Sequence, residues 1–376
     1  MPEINRGHLF DVVIVGGGAA GVGVAITLRD AGIENFVLIE RHTIGASFMA
    51  WPAETRFITP SFPTNSVGML DLNSVAIGAS VAYSLRVEHP TGREFAFFLN
   101  VLAMHFEVPF CENTDVTSIA KQDGEFAVET SDGTVRARHV IWAAGDFLYP
   151  RLDGFTGSEL CRHTATIPTY AELEGDDFIV IGGYESGIDV ACYLTGKGKR
   201  VRIFDKGSPW ESKSSDPSVA LSTYSIERMR EESFAEHVEL FPEAPIASVT
   251  ASDSGYEVVT QDGRRFHTPV QPLLAGGFEG SHTLVKDLFE SRKDGFPLLN
   301  ERDESTRVPG LFLCGAAVRH DNHIFCFIYK YRQRFAVVAK AIATSLGKPA
   351  EALEEYRMWG MYLDDLSCCG QECAVC

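Results

Sequence analysis

The last nine residues of the 376-residue chain, CCGQECAVC, carry four of its nine cysteines. Cys369, Cys373 and Cys376 have the spacing C-x3-C-x2-C, and Cys368 adds a vicinal thiol. Two neighbouring thiols interchange dithiol and disulfide by thiolate attack, so the tail could relay electron pairs. Thiolates at this spacing could instead bind Zn²⁺ or an iron–sulfur cluster, with Cys369, Cys373 and Cys376 as ligands. The pattern leaves open these two functions and a tail without function.

A glycine cluster near the N-terminus has the spacing of a dinucleotide site. Gly16, Gly18 and Gly21 form G-x-G-x-x-G between an apolar run and a helical stretch, and the next apolar run ends at Glu40. Glycine here permits a tight turn, close approach of a pyrophosphate to the backbone, and close packing of helix on strand. The phosphates would lie at the helix N-terminus, and Glu40 would accept hydrogen bonds from ribose hydroxyls.

The same order of strand, glycine turn, helix and strand recurs at residues 177–206. Gly182, Gly183 and Gly187 mark this second turn, and its second strand ends at Asp205. Each unit is followed by hairpin patterns and a further glycine turn, at residues 115–147 and 255–278. The chain therefore contains one architecture twice, which predicts an α/β fold with two Rossmann-like dinucleotide-binding domains.

The last third contains an apolar strand, VPGLFLCGAA, and then an amphipathic pattern that predicts one long helix over residues 323–346. Asn322 would cap this helix and Gly347 would end it. Cys326 would then lie in the first helical turn, where the helix dipole lowers a thiol pKa. We predict a redox role for Cys326, with buried packing as the alternative. The other cysteines outside the tail are predicted to pack in the core: Cys111, Cys161, Cys192 and Cys314.

Composition excludes several classes of partner. The formal net charge of −18 disfavours nucleic acid and anionic lipid surfaces, because like charges repel. No apolar run reaches the roughly 20 residues that a membrane-spanning helix needs. The first residues, MPEINRGHLF, lack the apolar region of a signal peptide. A cytoplasmic location is the default expectation, and thiols stay reduced there unless they are catalytic or hold metal.

As a set, these motifs resemble the two-domain pyridine nucleotide-disulfide oxidoreductases, and among them the low-molecular-weight thioredoxin reductases and bacillithiol-disulfide-reductase-like proteins. The similarity covers nearly the whole chain. It implies two three-layer ββα/βαβ domains, the second inserted in the first. Residues 1–150 and 279–364 would form an FAD-binding domain, residues 151–278 an NAD(P)-binding-like domain, and residues 365–376 the cysteine-rich tail. It also implies a homodimer.

The resemblance assigns residues to both cofactors. The first glycine turn and Glu40 would hold the ADP part of FAD, Val116 would meet the adenine through its backbone, and Gly145 and Gly315 would lie in two flavin-side turns. The residues predicted to bind FAD are Gly16, Gly18, Gly21, Glu40, Arg41, Ser47, Trp51, Val116, Gly145 and Gly315. Those predicted to bind the nicotinamide nucleotide are Gly182, Gly183, Ser186, Gly187, Asp205 and Lys206.

The chain departs from the family pattern at the second turn. Tyr184 stands where the family has its second key glycine, and Glu185 adds a negative charge near the expected pyrophosphate. Asp205 would repel a 2′-phosphate and so favour NADH over NADPH, although Lys206 partly offsets it. A protein electron donor is the alternative to a nicotinamide. In addition, no acid follows the GLFLCG strand, and no CxxC pair occupies either family position.

The sequence thus predicts an FAD-dependent oxidoreductase. Electrons would pass from a reduced nicotinamide or a protein donor through FAD to the tail cysteines, and on to a small-molecule or protein disulfide or another thiol-linked substrate. One alternative is a flavin-dependent monooxygenase, which lacks active-site thiols but leaves the tail unexplained. Another is a flavoprotein whose tail binds a metal or an iron–sulfur cluster and acts as a redox sensor or electron conduit.

Overall fold

The computed structural model describes residues 7–64 and 69–367. The predicted tail cysteines, Cys368, Cys369, Cys373 and Cys376, lie outside the described residues, so their role stays a prediction. Among the described residues, no helix is both long and apolar enough to cross a membrane.

A central sheet forms around β1 (Leu9–Val15), whose Val and Ile residues are buried on both faces, as is typical of a parallel strand. The other strands of this sheet are β2 (Phe36–Ile39), β3 (Phe110–Cys111), β4 (Val116–Gln122), β5 (Glu125–Thr130), β6 (Gly133–Trp142) and β17 (Leu311–Leu313). The strand order is β3-β2-β1-β6-β5-β4, and β17 pairs in parallel with β6 and returns the chain to this sheet.

Helix α1 (Ala19–Asp30) is buried along almost its whole length, between the central sheet and the C-terminal helices. A Cβ at Gly23 would lie 2.3 Å from the ring of Phe335, so glycine is needed for this close contact. The other helices of this half are α2 (Ala46–Met49), α3 (Val81–Leu85), α4 (Gly92–His105), α8 (Ile328–Tyr331), α9 (Phe335–Ser345) and α10 (Glu355–Met358).

A second parallel sheet has the order β10-β9-β8-β14-β7, beside a three-stranded antiparallel sheet, β11-β12-β13. This repetition confirms the predicted α/β class with two Rossmann-like units. The strands of these two sheets are β7 (Arg162–His163), β8 (Asp177–Ile181), β9 (Arg200–Phe204), β10 (Val238–Phe241), β11 (Ile246–Ser252), β12 (Gly255–Thr260), β13 (Arg265–Thr268) and β14 (Leu273–Leu274). The helices of this half of the protein are α5 (Glu185–Thr195), α6 (Thr223–Met229) and α7 (Glu232–His237). The domain boundaries at 150, 278 and 364 stay predictions.

The long helix predicted from residue 323 is wrong in its first part. Residues 319–324 form a hairpin of β18 (Arg319–His320) and β19 (His323–Ile324), with Asp321 in a left-handed conformation at φ 48°. Asn322 therefore caps no helix. The first helical residue is Ile328, so Cys326 precedes the helix instead of lying in its first turn. A further short hairpin pairs β15 (Glu290–Ser291) with β16 (Pro297–Leu298).

Candidate functional site

A small cavity of about 70 Å³ lies at the carboxyl ends of β1 and β2, the edge at which open α/β sheets bind ligands. The guanidinium of Arg41 lies over the ring of Tyr149, and both residues line the cavity. The structure brings together here seven of the residues predicted to bind FAD: Gly16, Gly18, Glu40, Arg41, Ser47, Val116 and Gly145.

Glycine is favoured at three positions of the first turn (residues 16–21), each for a different physical reason. Gly16 has φ 107°, and a Cβ on it would lie 2.6 Å from the Ala143 carbonyl oxygen. A Cβ on Gly21 would lie 1.9 Å from the Gly16 carbonyl oxygen, so Gly21 sets the approach of α1 to the turn. A Cβ on Gly18 would meet only Ser47 Oγ, at 3.9 Å. The space in front of Gly18, at the N-terminus of α1, is therefore open to a pyrophosphate.

Glu40 is buried and already orders the turn. Its Oε2 accepts a hydrogen bond from the Gly17 amide at 2.6 Å, and its Oε1 accepts one from the His42 amide at 2.8 Å. Each carboxylate oxygen retains a lone pair, so Glu40 can also accept hydrogen bonds from ribose hydroxyls. The open cradle at Gly18 together with this carboxylate fits the ADP part of FAD.

A larger cavity of about 380 Å³ adjoins the first turn and reaches the N-terminus of α5. One side of the cavity is aromatic. The ring centre of Trp51 lies 4.9 Å from that of Phe57 and 6.0 Å from that of Phe147. The ring centres of Phe147 and Phe278 lie 5.3 Å apart. Gly145, Gly315 and Ser186 line the same cavity. An isoalloxazine ring would fit this aromatic, largely apolar space. The bound flavin would supply reversible transfer of electron pairs.

One contact between the two halves of the protein closes a side of this cavity. Thr55 Oγ1 donates a hydrogen bond to Asp189 Oδ2 at 2.7 Å, and the Tyr170 hydroxyl donates to the same oxygen at 3.2 Å. Arg228 pairs with the other Asp189 oxygen at 2.7 Å. Glu54 accepts hydrogen bonds from Thr169 Oγ1 and the Tyr170 amide. We call this set the Thr55 contact.

A second contact, which we call the Cys326 contact, lies on another side of the larger cavity. Cys326 Sγ donates to Ser218 Oγ at 3.1 Å, and Lys330 Nζ donates to Ser218 Oγ and to Asp216 Oδ1 at 2.6 Å each. Burial raises the pKa of the Cys326 thiol, while Ser218, Lys330 and Arg319 act in the opposite direction. The predicted lowering by a helix dipole is therefore wrong, because Cys326 precedes the helix and its partial burial is the largest influence on its pKa. It is nevertheless the one cysteine among the described residues that lines the larger cavity.

Of the remaining described cysteines, Cys111, Cys161 and Cys314 are buried, as predicted, and Cys192 is half-buried against the core of the second parallel sheet. Burial raises the pKa of Cys161 and of Cys192 to about 12, and it raises the pKa values of Cys111 and Cys314 as well. Thiols of such high pKa carry almost no thiolate at neutral pH and are poor nucleophiles. Within residues 7–64 and 69–367, no cluster of three or more His, Cys, Asp or Glu residues could hold a metal ion.

The second glycine turn (residues 182–187) repeats the backbone of the first. A Cβ on Gly187 would lie 1.9 Å from the Gly182 carbonyl oxygen, as at Gly21. Asp205 accepts hydrogen bonds from the Gly183 and Gly207 amides at 2.7 Å each, as Glu40 does in the first turn. The place that corresponds to Gly18 is filled by the side chain of Tyr184, and Lys206 is exposed. In this conformation the second turn does not fit a dinucleotide pyrophosphate.

Sequence reasoning missed two residues that shape the flavin side. Asp146 follows Gly145 in the turn after β6 and lines the larger cavity, and burial raises the pKa of its carboxyl. Arg319 donates to the carbonyl oxygens of Ala316 and Val318 and lies 4.3 Å from the ring centre of Phe296, which holds the turn after Gly315 in place. The acid next to Gly145 was visible in the sequence, whereas the contacts of Arg319 were not.

The C-terminal segment is attached close to this site. The Leu363 amide donates to the Gln333 carbonyl oxygen at 2.9 Å, and Arg334 Nη1 donates to the Leu363 carbonyl oxygen at 2.5 Å. Gln333 and Arg334 connect α8 and α9, and Ile328 and Tyr331 of α8 line the larger cavity. Leu363 is therefore attached to the junction that follows α8, the helix that lines the larger cavity.

Comparison with known proteins agrees with this architecture. Bacilliredoxin reductase Bdr of Bacillus subtilis is 26% identical over 343 residues, which cover 88% of this chain and 97% of that protein. The bacillithiol disulfide reductase Bdr (YpdA) of Bacillus cereus has a TM-score of 0.71 at 21% identity, covering 90% of this chain and 100% of that chain. A flavin-containing monooxygenase from Stenotrophomonas maltophilia has a TM-score of 0.70 at 17% identity, covering 90% and 99%. At these identities the two structures show a shared fold alone.

The pyridine nucleotide-disulphide oxidoreductase family matches residues 13–315, which include both glycine turns and the strand that ends before Gly315. Membership implies FAD and a reduced pyridine nucleotide as the cofactors of the family. The chain belongs to the pyridine nucleotide-disulphide oxidoreductases.

Proposed function

We propose that the protein is an FAD-dependent reductase of a disulfide or another thiol-linked substrate. The observation that carries this proposal is the larger cavity, which joins the open pyrophosphate cradle at Gly18 to the thiol of Cys326. The relative of 26% identity, which this chain covers almost completely, is named as a bacilliredoxin reductase and supports the same reaction class.

The residues of the chain have separate roles in this proposal. The first glycine turn and Glu40 bind the ADP part of the cofactor, and the aromatic side that contains Trp51 orients the ring and excludes water. Cys326 holds its proton on Sγ towards Ser218 Oγ. Burial raises the pKa of this thiol, and the positive charges of Lys330 and Arg319 partly oppose that rise. Once deprotonated, Sγ would attack one sulfur of the substrate disulfide, form a mixed disulfide and release the first thiolate. A thiolate of the tail would then release the second and leave a disulfide between Cys326 and the tail, to which the bound flavin would supply the electron pair. Cleavage of one substrate disulfide to two thiols consumes one electron pair and two protons.

We propose that the tail cysteines (Cys368, Cys369, Cys373 and Cys376) exchange electrons with this site. The attachment of Leu363 at the junction of α8 and α9 supports this role, because Ile328 and Tyr331 of α8 line the same cavity as Cys326. A homodimer and a cytoplasmic location also remain proposals. They rest on the family resemblance.

Reoxidation of the reduced flavin tests the proposal without any assumption about the electron donor. FAD-loaded protein is reduced anaerobically with dithionite and mixed in a stopped-flow instrument with bacillithiol disulfide or glutathione disulfide. We expect at least one disulfide to reoxidise the flavin, and we expect Cys326→Ser to slow this step by at least about tenfold, because it removes the only described thiol in the cavity. Cys192→Ser is the matched control and should leave the rate unchanged.

Two outcomes would contradict the proposal. A flavin that no disulfide reoxidises cannot belong to a disulfide reductase. Rapid reoxidation by oxygen together with hydroxylation of an organic substrate would favour the monooxygenase alternative, whose fold this chain shares.

A further inference from the structure

The two glycine turns have almost the same backbone but different residues at the start of the helix. Gly18 precedes α1 with φ −82° and ψ −170°, and Tyr184 precedes α5 with φ −87° and ψ −167°. A Cβ at either position therefore points in the same direction relative to its turn. At Gly18 that direction leads into the open cradle, so at Tyr184 the side chain enters the space that a pyrophosphate would take.

The ring of Tyr184 is fixed in that space. Its hydroxyl donates to the carbonyl oxygens of Pro217 and Ala220, at 2.5 and 2.8 Å. These residues belong to residues 208–222, which we call the cover segment. The phenol therefore spans the gap from the N-terminus of α5 to the cover segment, and burial raises its pKa. A dinucleotide would have to displace a half-buried ring whose hydroxyl makes two hydrogen bonds.

The charge at the second turn also differs from that at the first. The first turn of α1 contains no acidic residue, so the positive end of its dipole is available to an anion. The first turn of α5 contains Glu185, whose carboxylate accepts hydrogen bonds from the Ser222 amide at 2.5 Å and from Ser225 Oγ at 2.6 Å. This helix end already has an acidic partner, and that partner would repel a pyrophosphate.

Further contacts hold the cover segment in place. The Trp210 ring packs on Gly183, where a Cβ would lie 2.3 Å from the ring. In the Cys326 contact, Asp216 and Ser218 of the cover segment accept hydrogen bonds from Lys330 Nζ. The cover segment is thus attached to the second turn at one end and to the wall of the candidate flavin cavity at the other.

We propose that Tyr184, with Glu185, excludes nicotinamide dinucleotides from the second glycine turn, so that the flavin receives its electrons from a reduced protein donor that does not bind there. Tyr184 is then the residue that determines donor specificity in this chain. Only the consequence for electron supply depends on the proposed function, because exclusion is a property of binding that can be measured without turnover.

Equilibrium binding of NADH and NADPH to the oxidised, FAD-loaded protein tests this inference by isothermal titration calorimetry. We expect no binding by the wild type up to about 1 mM of either nucleotide. Tyr184→Gly should bind NADH with a dissociation constant at least about tenfold below this limit, because it restores the open cradle seen at Gly18. Tyr184→Phe keeps the ring and should behave like the wild type. Retained FAD and a cooperative thermal transition show that each variant is folded, and Tyr184→Ala provides a second opening variant.

Either of two results would overturn the inference. Micromolar binding of NADH or NADPH by the wild type would show that the turn accepts a dinucleotide despite Tyr184. Opening variants that fold, keep FAD and bind neither nucleotide would show that Tyr184 is not the determinant. Neither result bears on reoxidation of the flavin by disulfides, so a failure here is distinct from a failure of the proposed function.

Discussion

Replacement of Gly18 by tyrosine is expected to abolish FAD binding while the fold is retained. The backbone at Gly18 suits any L-residue, and a tyrosine already occupies the corresponding place before α5. A Cβ at Gly18 would meet no protein atom closer than Ser47 Oγ, at 3.9 Å, so the start of the new side chain clashes with nothing in the protein. It would instead fill the pyrophosphate cradle. We expect the dissociation constant for FAD to rise by at least about a hundredfold, or about 2.7 kcal/mol.

The measurement is fluorescence titration of the apoprotein with FAD. Gly154→Tyr is the matched control, because Gly154 is exposed and a Cβ there would have no neighbour within 4 Å. The control should bind FAD like the wild type. Unchanged FAD affinity in the Gly18 variant would show that the pyrophosphate lies elsewhere.

Replacement of Asp303 by alanine is expected to lower the free energy of unfolding by about 3–5 kcal/mol, the usual result of removing one partner from a buried ion pair. Asp303 and Arg334 are fully buried. Arg334 Nε donates to Asp303 Oδ2 at 3.0 Å and Arg334 Nη2 donates to Oδ1 at 2.9 Å, while His320 Nε2 contacts the same Oδ1 at 2.5 Å. Without the carboxylate, the guanidinium of Arg334 remains buried without its counter-charge.

Urea unfolding of the apoprotein gives the free-energy difference. The double variant Asp303→Leu, Arg334→Met should be less destabilised than Asp303→Ala, because it removes both charges and fills the space with apolar groups. Glu257→Ala, which breaks an exposed ion pair with Arg265, should change the free energy of unfolding by no more than about 1 kcal/mol. A loss as small as this in Asp303→Ala would contradict the account of a tightly coupled buried pair.

Local patterns in the sequence predict the parts of the site whose geometry is local. The spacing of Gly16, Gly18 and Gly21 identifies the first turn, because Gly16 must adopt a positive φ, Gly18 leaves the cradle open, and Gly21 packs against the Gly16 carbonyl oxygen of the same βα unit. The acid at the end of the second strand is predictable for the same reason, since Glu40 bonds to amides of the adjoining loops.

Contacts between distant segments explain what sequence reasoning misses. Apolar periodicity predicts a helix that begins at residue 323. In the structure residues 323–324 pair with residues 319–320 instead, and the helix begins at Ile328. The pKa of Cys326 depends on burial and on Ser218, which lies 108 residues away in the sequence. The sequence alone shows that Tyr184 replaces a glycine of the family pattern. The cover segment that fixes its ring is visible only in the structure.

The most direct test of the central claim, that the flavin exchanges electrons with thiols of this chain, is an anaerobic reductive titration. FAD-loaded full-length protein and a chain that ends at Ser367 are titrated with dithionite while the flavin spectrum is followed. The account predicts that the truncated chain takes up one electron pair per flavin and that the full chain takes up at least one further pair. Equal uptake by the two proteins, with zinc or iron bound only to the full chain, would contradict the thiol relay and favour a metal-binding tail.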